Sequence, residues 1–507
     1  MSQARKILSN TAWQVIGKVV TAVLGIVSVK FITNYLTKST YGEYTTIYDY
    51  TAMFAIIADF GLFTIAVREM AHSNEKSAIQ KIVGNVLSMR TGLAIFALGI
   101  GALIAAVMPA YRGSHIPFGI LLVSIATVFT LIAGTMSSVL QFHLRMKWAS
   151  ISILISKIFT VGYILATILY LYPNDPVAGF PHLLLGWIGG GLINVVTTYA
   201  ASTKLIPISF QFDFKFWKEV LVKALPYGTA LVLGTIYFRM GTVMLSLFEM
   251  KEQIGYYGVP MRFLEILQIL PHYFMNSVLP LLTISLDSIN EKTGRIVRYS
   301  IDALAAMAIP IMVGGYVLAW PITAAVSSPD FLTERTATGF IWGSDLALKI
   351  LLVAMTFTYI HVALSYTLVA MGRQVELLWI NGITVIVNVG LNLFLAPRYG
   401  FIGASISAAA SELTMLACLF IRTKKRIRGI WDLPFLAKTA FSALVMGIVL
   451  NSITDYFNKL LFTKSLFILM PIGGIVFVAC MLLTKAVSKD MWSLLRKTEP
   501  SEVREEV

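Results

Sequence analysis

The chain has 507 residues, of which 57% are hydrophobic and only 13% carry a charge. A soluble domain of this size does not have so apolar a composition, which is that of a polytopic membrane protein. The formal net charge of +14 could indicate a nucleic-acid binder. The basic residues, however, lie in short segments between apolar runs, which is the pattern of membrane topology. We therefore expect no nucleic-acid partner.

The sequence also argues against cofactor and ATP chemistry. Its two cysteines, Cys418 and Cys480, lie inside apolar runs, which disfavours a disulfide framework or a metal site. It contains no GxxxxGK(S/T) motif, so the chain is not expected to hydrolyse ATP itself. We predict no cofactor, no metal and no catalytic residues, and thus a protein that is not an enzyme.

Fourteen apolar runs are long enough to cross a bilayer as helices at about 1.5 Å per residue. Their approximate limits are 11–33, 45–67, 85–108, 117–140, 148–171, 181–202, 224–247, 258–284, 299–323, 347–371, 374–396, 401–421, 434–454 and 464–484. The predicted fold class is an all-α membrane protein with about 14 transmembrane helices. We expect two six-helix halves followed by two C-terminal helices.

Basic residues indicate the orientation of these spans. When the N-terminus is placed inside, the inner segments hold most lysines and arginines, and this bias keeps its sign at every alternation. We therefore predict a multi-pass protein of the plasma (inner) membrane with cytoplasmic N- and C-termini. The expected parts are an N-terminal half at 1–202, a cytoplasmic interfacial linker at 203–223, a C-terminal half at 224–422, and helices 13 and 14 with a cytoplasmic tail at 423–507.

A faint internal repeat relates the two halves. Residues 34–44 join the first two spans and residues 247–257 join the seventh and eighth, and at an offset of 213 they share Lys, Gly and Tyr. A six-plus-six repeat preserves orientation, so the halves are expected to be related by a pseudo-twofold axis along the membrane normal. Transporters of this kind bind substrate between the halves and rock them in alternation.

The stretch 372–413 is the most informative part of the chain. Its first apolar run ends in a tight break at 397–400, and a second run follows. Asn381, Asn388 and Asn392 share one helical face. Because an amide in lipid needs a partner, this face should meet other helices or a wet cavity. Small residues that recur every fourth position predict close packing of the second helix: Gly403, Ser407 and Ser411.

Four motifs here resemble the matching region of polysaccharide-export flippases. These proteins form the Wzx-like (O-antigen type) branch of the multidrug/oligosaccharidyl-lipid/polysaccharide exporter superfamily, which also holds multidrug and toxin extruders and lipid II flippases. The motifs are 371–373 (MGR), 388–393 (NVGLNL), 399–404 (YGFIGA) and 411–412 (SE). The loops at 41–44 (YGEY) and 254–257 (IGYY) also resemble the family's loops, so the resemblance covers roughly helices one to twelve.

Helices one and two carry ionisable residues, which in a membrane usually pair or face an aqueous interior. Helix one has Lys18 and Lys30, and helix two runs back with Asp49 and Asp59. Counting about 1.5 Å per residue places Lys18 level with Asp59 and Lys30 level with Asp49. We predict these two ion pairs. Structural pairing and a contact with substrate or ion both stay open.

Basic residues recur in helices five, seven and eight. Helix five carries Lys157, helix seven Arg239, and helix eight Arg262 with Glu265, which can neutralise only one arginine. Arginine offers a bidentate fork to phosphate oxygens, and lysine offers a point charge. Snorkelling or bonding to backbone carbonyls is the alternative. The predicted substrate-binding residues are Lys18, Lys30, Lys157, Arg239 and Arg262.

Residues 238–241 (FRMG) resemble the family's helix-seven pattern, in which an aspartate commonly follows the basic residue by two. Here that position is Gly241. The departure is expected to leave Arg239 without its usual acidic neighbour. It also weakens any argument that a cation binds there.

Two further ionisable residues, His361 and Glu412, lie near mid-membrane in helices ten and twelve. Either could carry a proton in a coupled cycle. A hydrogen-bonded structural histidine is the alternative. The predicted charge-pairing or ion-coupling residues are Asp49, Asp59, Glu265, His361 and Glu412.

The resemblance implies a flippase that moves a polyprenyl-diphosphate-linked oligosaccharide from the inner to the outer leaflet by ion-coupled alternating access. Membrane lipids, a glycan polymerase and glycosyltransferases are the implied partners. A cation-coupled multidrug extruder would favour a carboxylate-rich cavity. A lipid II flippase, by contrast, would also be expected to have a basic cavity. A membrane polymerase or acyltransferase would need a catalytic set on a sizeable outer loop or around a histidine, and the short loops disfavour both.

Overall fold

The computed structural model describes residues 3–73, 75–285, 291–337, 339–427 and 429–486, and gives only the backbone for 3–12, 15 and 291–292. This part of the chain is almost entirely α-helical. Its helices are α1 (Gln3–Tyr35), α2 (Lys38–Asp59), α3 (Leu62–Ala71), α4 (Lys76–Val107), α5 (Ile116–Phe142), α6 (Met146–Ala166), α7 (Pro176–Ser202), α8 (Phe214–Leu247), α9 (Lys251–Leu267), α10 (Ile269–Ser285), α11 (Glu291–Val317), α12 (Ala319–Val326), α13 (Ser344–Ala370), α14 (Gln374–Lys424), α15 (Leu433–Leu461) and α16 (Leu466–Leu483). A small antiparallel hairpin precedes α13 and consists of β1 (Glu334–Thr336) and β2 (Gly339–Ile341), with Arg335 opposite Phe340.

Among the described residues, eleven helical stretches are long and apolar enough to cross a membrane. Two of them, Gln374–Lys424 and Leu433–Leu483, are 51 residues long, and each contains two of the predicted spans. The predicted span 258–284 falls on α9 and α10, which have 17 residues each. All fourteen predicted spans therefore coincide with helices. The predicted class, an all-α multi-pass membrane protein, is confirmed.

The break predicted inside α14 is present at Gly400. This residue adopts φ 56° and ψ −132°, which kinks the helix. A Cβ atom there would lie 2.2 Å from Gln253 Oε1, so both the positive φ and the close approach select glycine. The same Gln253 oxygen accepts a hydrogen bond from the Phe401 amide at 3.2 Å, which satisfies a donor at the start of the second segment.

The asparagine face of α14 is buried, as its amides require. Asn381 Nδ2 donates to the Ala230 carbonyl of α8 at 3.3 Å. Asn392 Nδ2 donates to both the carbonyl and the side-chain oxygen of Asn388, at 2.9 and 3.1 Å. On the other side of the kink, the small residues also pack inside the protein, since Ser407 is fully buried. Both predictions for this stretch are confirmed.

The chain forms two compact units. The first contains the chain up to Phe263, together with Val326–Phe331 and Asn381–Ala408. The second contains Leu264–Ala325, Leu332–Ile380 and the described residues from Ala409 onward; within it α13 packs against α10 and α11. These units are defined by contacts, whereas the halves at 1–202 and 224–422 follow from a sequence repeat. Those boundaries stay a prediction, and residues 487–507 of the expected tail lie outside the described residues.

The linker at 203–223 is held against α4. The Gln211 amide donates to Ser88 Oγ at 3.0 Å, and the Asp213 amide donates to Asn85 Oδ1 at 2.6 Å. The Asp213 carboxylate in turn accepts from the first amides of α8 and caps that helix. Alternate residues of this segment have exposed aromatic rings: Phe210, Phe212 and Phe214. A position of this linker in the headgroup layer stays a prediction.

Candidate functional site: a cationic cluster around Asp49

Asp49 of α2 is the centre of a buried ionic cluster in the first unit. Its side chain is 0% exposed, and its Oδ1 accepts from Arg239 of α8 at 2.6 Å and from Arg262 of α9 at 3.1 Å. Thr242 Oγ1 donates to the other oxygen, Oδ2, at 2.6 Å. Charge-assisted hydrogen bonds of this kind are the stronger class, and a carboxylate away from water requires them. Asp49 therefore holds two guanidinium groups from successive helices at one point.

Aromatic rings extend this ionic centre toward α6 and α7. The Tyr48 ring centroid lies 3.9 Å from the guanidinium carbon of Arg262 and 5.3 Å from that of Arg239. Tyr48 also meets Trp187 at a centroid distance of 5.4 Å, and Lys157 Nζ lies 5.2 Å from the Trp187 ring. These are cation–π distances. We call the connected residues the cation cluster: Tyr48, Asp49, Lys157, Trp187, Arg239 and Arg262.

The cation cluster unites three of the five predicted substrate-binding residues. Lys157, Arg239 and Arg262 are far apart in sequence, and the structure connects them through Tyr48 and Trp187. The arginine side chains are only 12% and 15% exposed. Their predicted contact with substrate is not tested by this geometry and stays a prediction.

The surroundings of Gly241 do not accommodate the aspartate that is common at this position in the family pattern. A Cβ atom at this position would lie 2.6 Å from Tyr257 Oη, so the packing of α8 against α9 leaves no room for a side chain. Asp49 supplies the carboxylate from another helix. The expectation that Arg239 lacks an acidic neighbour is therefore corrected: the neighbour is distant in sequence and 2.6 Å away in space.

The predicted pairing of Asp59 with Lys18 is wrong. Asp59 forms its ion pair with Arg90 of α4, and the Arg90 guanidinium also donates to Thr135 at 3.1 Å. Lys18 is exposed on α1. Counting residues along a helix gives the level of a side chain but not the direction in which it points. Equal depth therefore did not mean contact.

The predicted pairing of Lys30 with Asp49 is also wrong. Asp49 is bound within the cation cluster, and Lys30 Nζ donates to the Ser327 carbonyl at 2.5 Å. Glu265 follows Arg262 by three residues on α9 and is half-buried. Roles for Lys18, Lys30, Asp59 and Glu265 in substrate or ion binding stay predictions.

The two loops of the sequence repeat pack against each other through their glycines. A Cβ atom on Gly42 would lie 2.0 Å from the Lys251 carbonyl oxygen. A Cβ atom on Gly255 would lie 2.5 Å from the Lys38 carbonyl oxygen. Gly42 and Gly255 are 213 positions apart, and so are Lys38 and Lys251. Each contact is thus the repeat-related copy of the other.

The side chains of these loops repeat the same relation. Lys251 Nζ donates to Glu43 Oε1 at 2.6 Å, and Lys38 Nζ donates to Tyr256 Oη at 2.9 Å. Glu43 and Tyr256 are again 213 positions apart. We call residues 38–43 and 251–256 the reciprocal loops, after their position in the sequence repeat, although in the structure they form the first turns of α2 and α9. Two equivalent sets of contacts are what a pseudo-twofold relation between the repeats requires.

The second unit contains a buried histidine–glutamate pair. His361 Nε2 of α13 lies 2.6 Å from Glu412 Oε2 of α14, and the two side chains are 6% and 7% exposed. The sequence placed both residues near mid-membrane without predicting that they meet. Their burial and their separation by 51 positions explain why spacing alone did not reveal the contact.

Several residues of these sites were not identified from sequence. The sequence prediction did not single out Tyr48 or Trp187, although cation–π partners are a recognised role for both residue types. Arg90 could have been found as an arginine inside the apolar run 85–108. Glu43 was noted only as part of a loop motif, and its two partners, Lys251 and His115, could not be read from spacing.

The described residues contain no group of three or more His, Cys, Asp or Glu side chains that could hold a metal ion. The charge of the cation cluster suits an anion better than a cation. Its three cations outnumber its carboxylate, and they still do so when Glu265 is counted. Phosphate and carboxylate groups are the anions that arginine forks recognise.

Solved structures share the helical fold. The lipid II flippase MurJ in an inward closed conformation matches with a TM-score of 0.71 at 14% identity, over 94% of this chain and 99% of that one. An inward-facing multidrug resistance MATE family transporter of the MOP superfamily gives 0.62 at 13% identity, over 81% and 95%. The Vibrio cholerae MATE transporter VcmN gives 0.56 at 12% identity, over 85% and 98%. The chain therefore shares its helical fold with these flippase and MATE transporter structures.

Within this fold class, the model of the family described as polysaccharide biosynthesis protein matches residues 7–285, which is more than half of the chain. The chain belongs to that family. A sequence relative is the probable flippase AglR of Haloferax volcanii, 25% identical over 222 residues. That match covers 43% of this chain and 45% of AglR, so it spans less than half of the relative's length. The predicted resemblance to the polysaccharide branch is confirmed at the level of family and fold.

Proposed function

We propose that this protein is a flippase that moves a polyprenyl-diphosphate-linked oligosaccharide from the inner to the outer leaflet by alternating access. In this account the protein lies in the plasma (inner) membrane with both termini in the cytoplasm. It receives its substrate from glycosyltransferases and delivers it to a glycan polymerase. The family and the relative named above support this class of substrate.

The observation that carries the proposal is the convergence of Arg239 and Arg262 on one buried carboxylate, that of Asp49. In a low-dielectric interior, a diphosphate must replace its hydration shell with fixed donors. Each guanidinium presents several N–H donors in a planar fork that matches phosphate oxygens. Asp49 holds both forks close together in advance, so less side-chain entropy is lost when an anion binds.

The aromatic members of the cluster suit the other part of this substrate. Trp187 and Tyr48 lie between Lys157 and the arginines, and both are large, rigid rings with a polar tip. Their faces offer apolar surface beside the cations. A sugar next to a diphosphate presents both kinds of surface, apolar C–H groups and charged oxygens.

The reciprocal loops support the alternating-access part of the proposal. By the predicted topology they lie at the outer ends of the spans they join, and in this conformation they are in contact. A conformation open to the outside would have to separate them. Two of their side-chain contacts, Lys251 with Glu43 and Lys38 with Tyr256, are polar and can exchange with water when the loops separate.

A cation-coupled multidrug extruder is the main alternative, and the excess of basic over acidic side chains in the cation cluster disfavours it because a cationic drug would be repelled. A lipid II flippase would use the same donors for the same diphosphate. A membrane polymerase or acyltransferase would need a catalytic centre instead. The test therefore has to compare substrates directly.

Purified full-length protein in proteoliposomes provides this test. The measurement is the fraction of a fluorescent lipid that becomes accessible in the opposite leaflet, for polyprenyl-diphosphate oligosaccharide, lipid II and polyprenyl monophosphate. Efflux of a cationic dye is measured in parallel. We expect the diphosphate oligosaccharide to flip faster than the monophosphate, without dye efflux. Flipping of lipid II alone, or dye efflux without lipid flipping, would replace the proposal with the corresponding alternative.

A further inference from the structure

The His361–Glu412 pair is buried, yet it is incompletely bonded. Nε2 of His361 meets the Glu412 carboxylate at 2.6 Å. The other ring nitrogen, Nδ1, is buried and has no hydrogen-bond partner among the described residues. A histidine that serves only to connect helices usually bonds through both nitrogens, because an unpaired buried polar atom is destabilising. His361 is therefore bonded to a carboxylate through Nε2, and its Nδ1 has no hydrogen-bond partner among the described residues.

The charged and titratable neighbours of this pair lie on the helices packed against α13. His272 on α10 is within electrostatic reach of His361. The ring of His272 lies 6.1 Å from that of Tyr366, and the Tyr366 hydroxyl donates to Asn276 at 3.0 Å. On α11, the ionisable groups with described side chains are Arg295, Arg298, Tyr299, Tyr316 and the buried Asp302. At the far end of α13, Asp345 accepts from the Thr333 amide and hydroxyl.

Charge balance in a low-dielectric site limits the pair to one stable proton content. With one proton, the pair is neutral overall, either as imidazole with carboxylic acid or as imidazolium with carboxylate. Loss of that proton leaves a buried carboxylate with a neutral imidazole, which is unfavourable unless water or another donor reaches it. Opening the pair to water would remove this restriction, because water can solvate a carboxylate that has lost its proton. This is the behaviour that a coupling site needs.

We propose that the His361–Glu412 pair is the proton-carrying site that couples a transmembrane pH gradient to substrate movement. This inference rests on the proposed flippase function and adds the identity of the driving ion. In the cycle, Glu412 and His361 together take up one proton from one side and release it to the other. No other bond is made or broken.

The test uses proteoliposomes with an imposed pH gradient and the membrane potential clamped to zero. One proton moved per substrate supports up to about tenfold unequal distribution of substrate between leaflets for each unit of pH difference. We expect the wild type to approach that ratio and Glu412→Gln and His361→Gln to give a ratio of about one, as expected without coupling. Equilibration of substrate without a gradient should persist in both variants. Glu412→Asp should retain part of the gradient response because it keeps a titratable group.

Asp302→Asn is the matched control, because Asp302 is a second buried carboxylate in the same unit. It should leave the gradient response intact. If Asp302→Asn abolishes the response and Glu412→Gln does not, the site is Asp302 and the proposal is overturned. A wild type that flips substrate but ignores the gradient also overturns it, while leaving the flippase function standing.

A second measurement keeps the proposal testable if the wild type does not flip substrate. Infrared difference spectra of the purified protein between high and low pH report the carbonyl band of a protonated carboxyl group. We expect a band that Glu412→Gln removes and Asp302→Asn retains, in samples of equal monodispersity. Two results together would show that the pair does not exchange a proton. The Glu412 carboxyl group would contribute no such band at any pH, and His361→Gln would leave the histidine signals of the spectra unchanged.

Discussion

At the scale of single residues, Asp49 supports the cation cluster by balancing charge. It is fully buried and touches both Arg239 and Arg262. Removal of one charge from a buried ionic group leaves an uncompensated charge inside the protein. The resulting loss of stability exceeds the net contribution of the ion pair to stability. The cluster should therefore depend on this carboxylate for stability as well as for position.

Asp49→Asn tests this dependence. We expect it to lower the free energy of unfolding by about 3 kcal/mol, because two guanidinium groups lose their negative partner inside the protein. The melting temperature of the detergent-solubilised protein is the readout. Asp330→Asn, which changes an exposed carboxylate of the same unit, should alter stability by no more than about 0.5 kcal/mol. Equal melting temperatures for the two variants would mean that Asp49 does not stabilise the protein through the cation cluster.

A second prediction at this scale concerns the close approach of Tyr257 to Gly241. Gly241→Ala places a methyl group 2.6 Å from the Tyr257 hydroxyl oxygen, and we expect a loss of about 1–3 kcal/mol from overpacking. Tyr257→Phe removes that oxygen and should restore part of the loss. The control is Gly234→Ala on the same helix, where an added Cβ meets nothing within 4 Å. It should be neutral or stabilising by up to about 1 kcal/mol.

At the scale of elements, the reciprocal loops connect the repeats through two equivalent lysine contacts. Lys251 to Glu43 and Lys38 to Tyr256 are related by the same offset that relates the loop glycines. Because the backbones approach through glycines, the side-chain contacts form over a short distance. The loops should therefore behave as one energetically coupled contact.

A double-mutant cycle on Glu43→Gln and Lys251→Met measures this coupling. We expect an interaction energy of about 1 kcal/mol in thermal or denaturant unfolding, since the two side chains are bonded at 2.6 Å. The control cycle joins Glu43→Gln with Lys215→Met, whose lysine is exposed near the start of α8, at the opposite end of that helix from the loops. Additive effects in both cycles would show that the loop contact carries no coupling.

The elements could largely be predicted from sequence, and the contacts between them could not. All fourteen apolar runs coincide with helices, eleven helical stretches of the described residues are long and apolar enough to cross a membrane, and a proline and a glycine located the kink at Gly400. The same reasoning mispaired Asp49 and Asp59, because depth along a helix leaves the rotation of that helix undetermined. Arg90 was the partner of Asp59 and lay inside a span that was read only as apolar. Residue types were informative, and their partners depended on packing.

At the scale of the whole molecule, the family and the fold agree with the charge pattern of the sequence. The family model matches residues 7–285, which contain the whole cation cluster and both reciprocal loops. Lys157, Arg239 and Arg262 were selected as candidate phosphate ligands from residue type and depth alone. They are now known to lie in one connected cluster. The predicted link from this cluster to diphosphate recognition is the central claim.

The measurement that tests this claim most directly is the initial flipping rate of fluorescent polyprenyl-diphosphate oligosaccharide for wild type, Arg239→Ala and Arg262→Ala. Arg398→Ala, which removes an exposed arginine of the same unit, is the control at matched reconstitution. A hydrogen bond to a charged group contributes about 1.5–3 kcal/mol, so its loss should slow flipping by about tenfold or more in each cluster variant. The control should match the wild type. Cluster variants that flip as fast as the control would contradict the assignment of this cluster to the diphosphate.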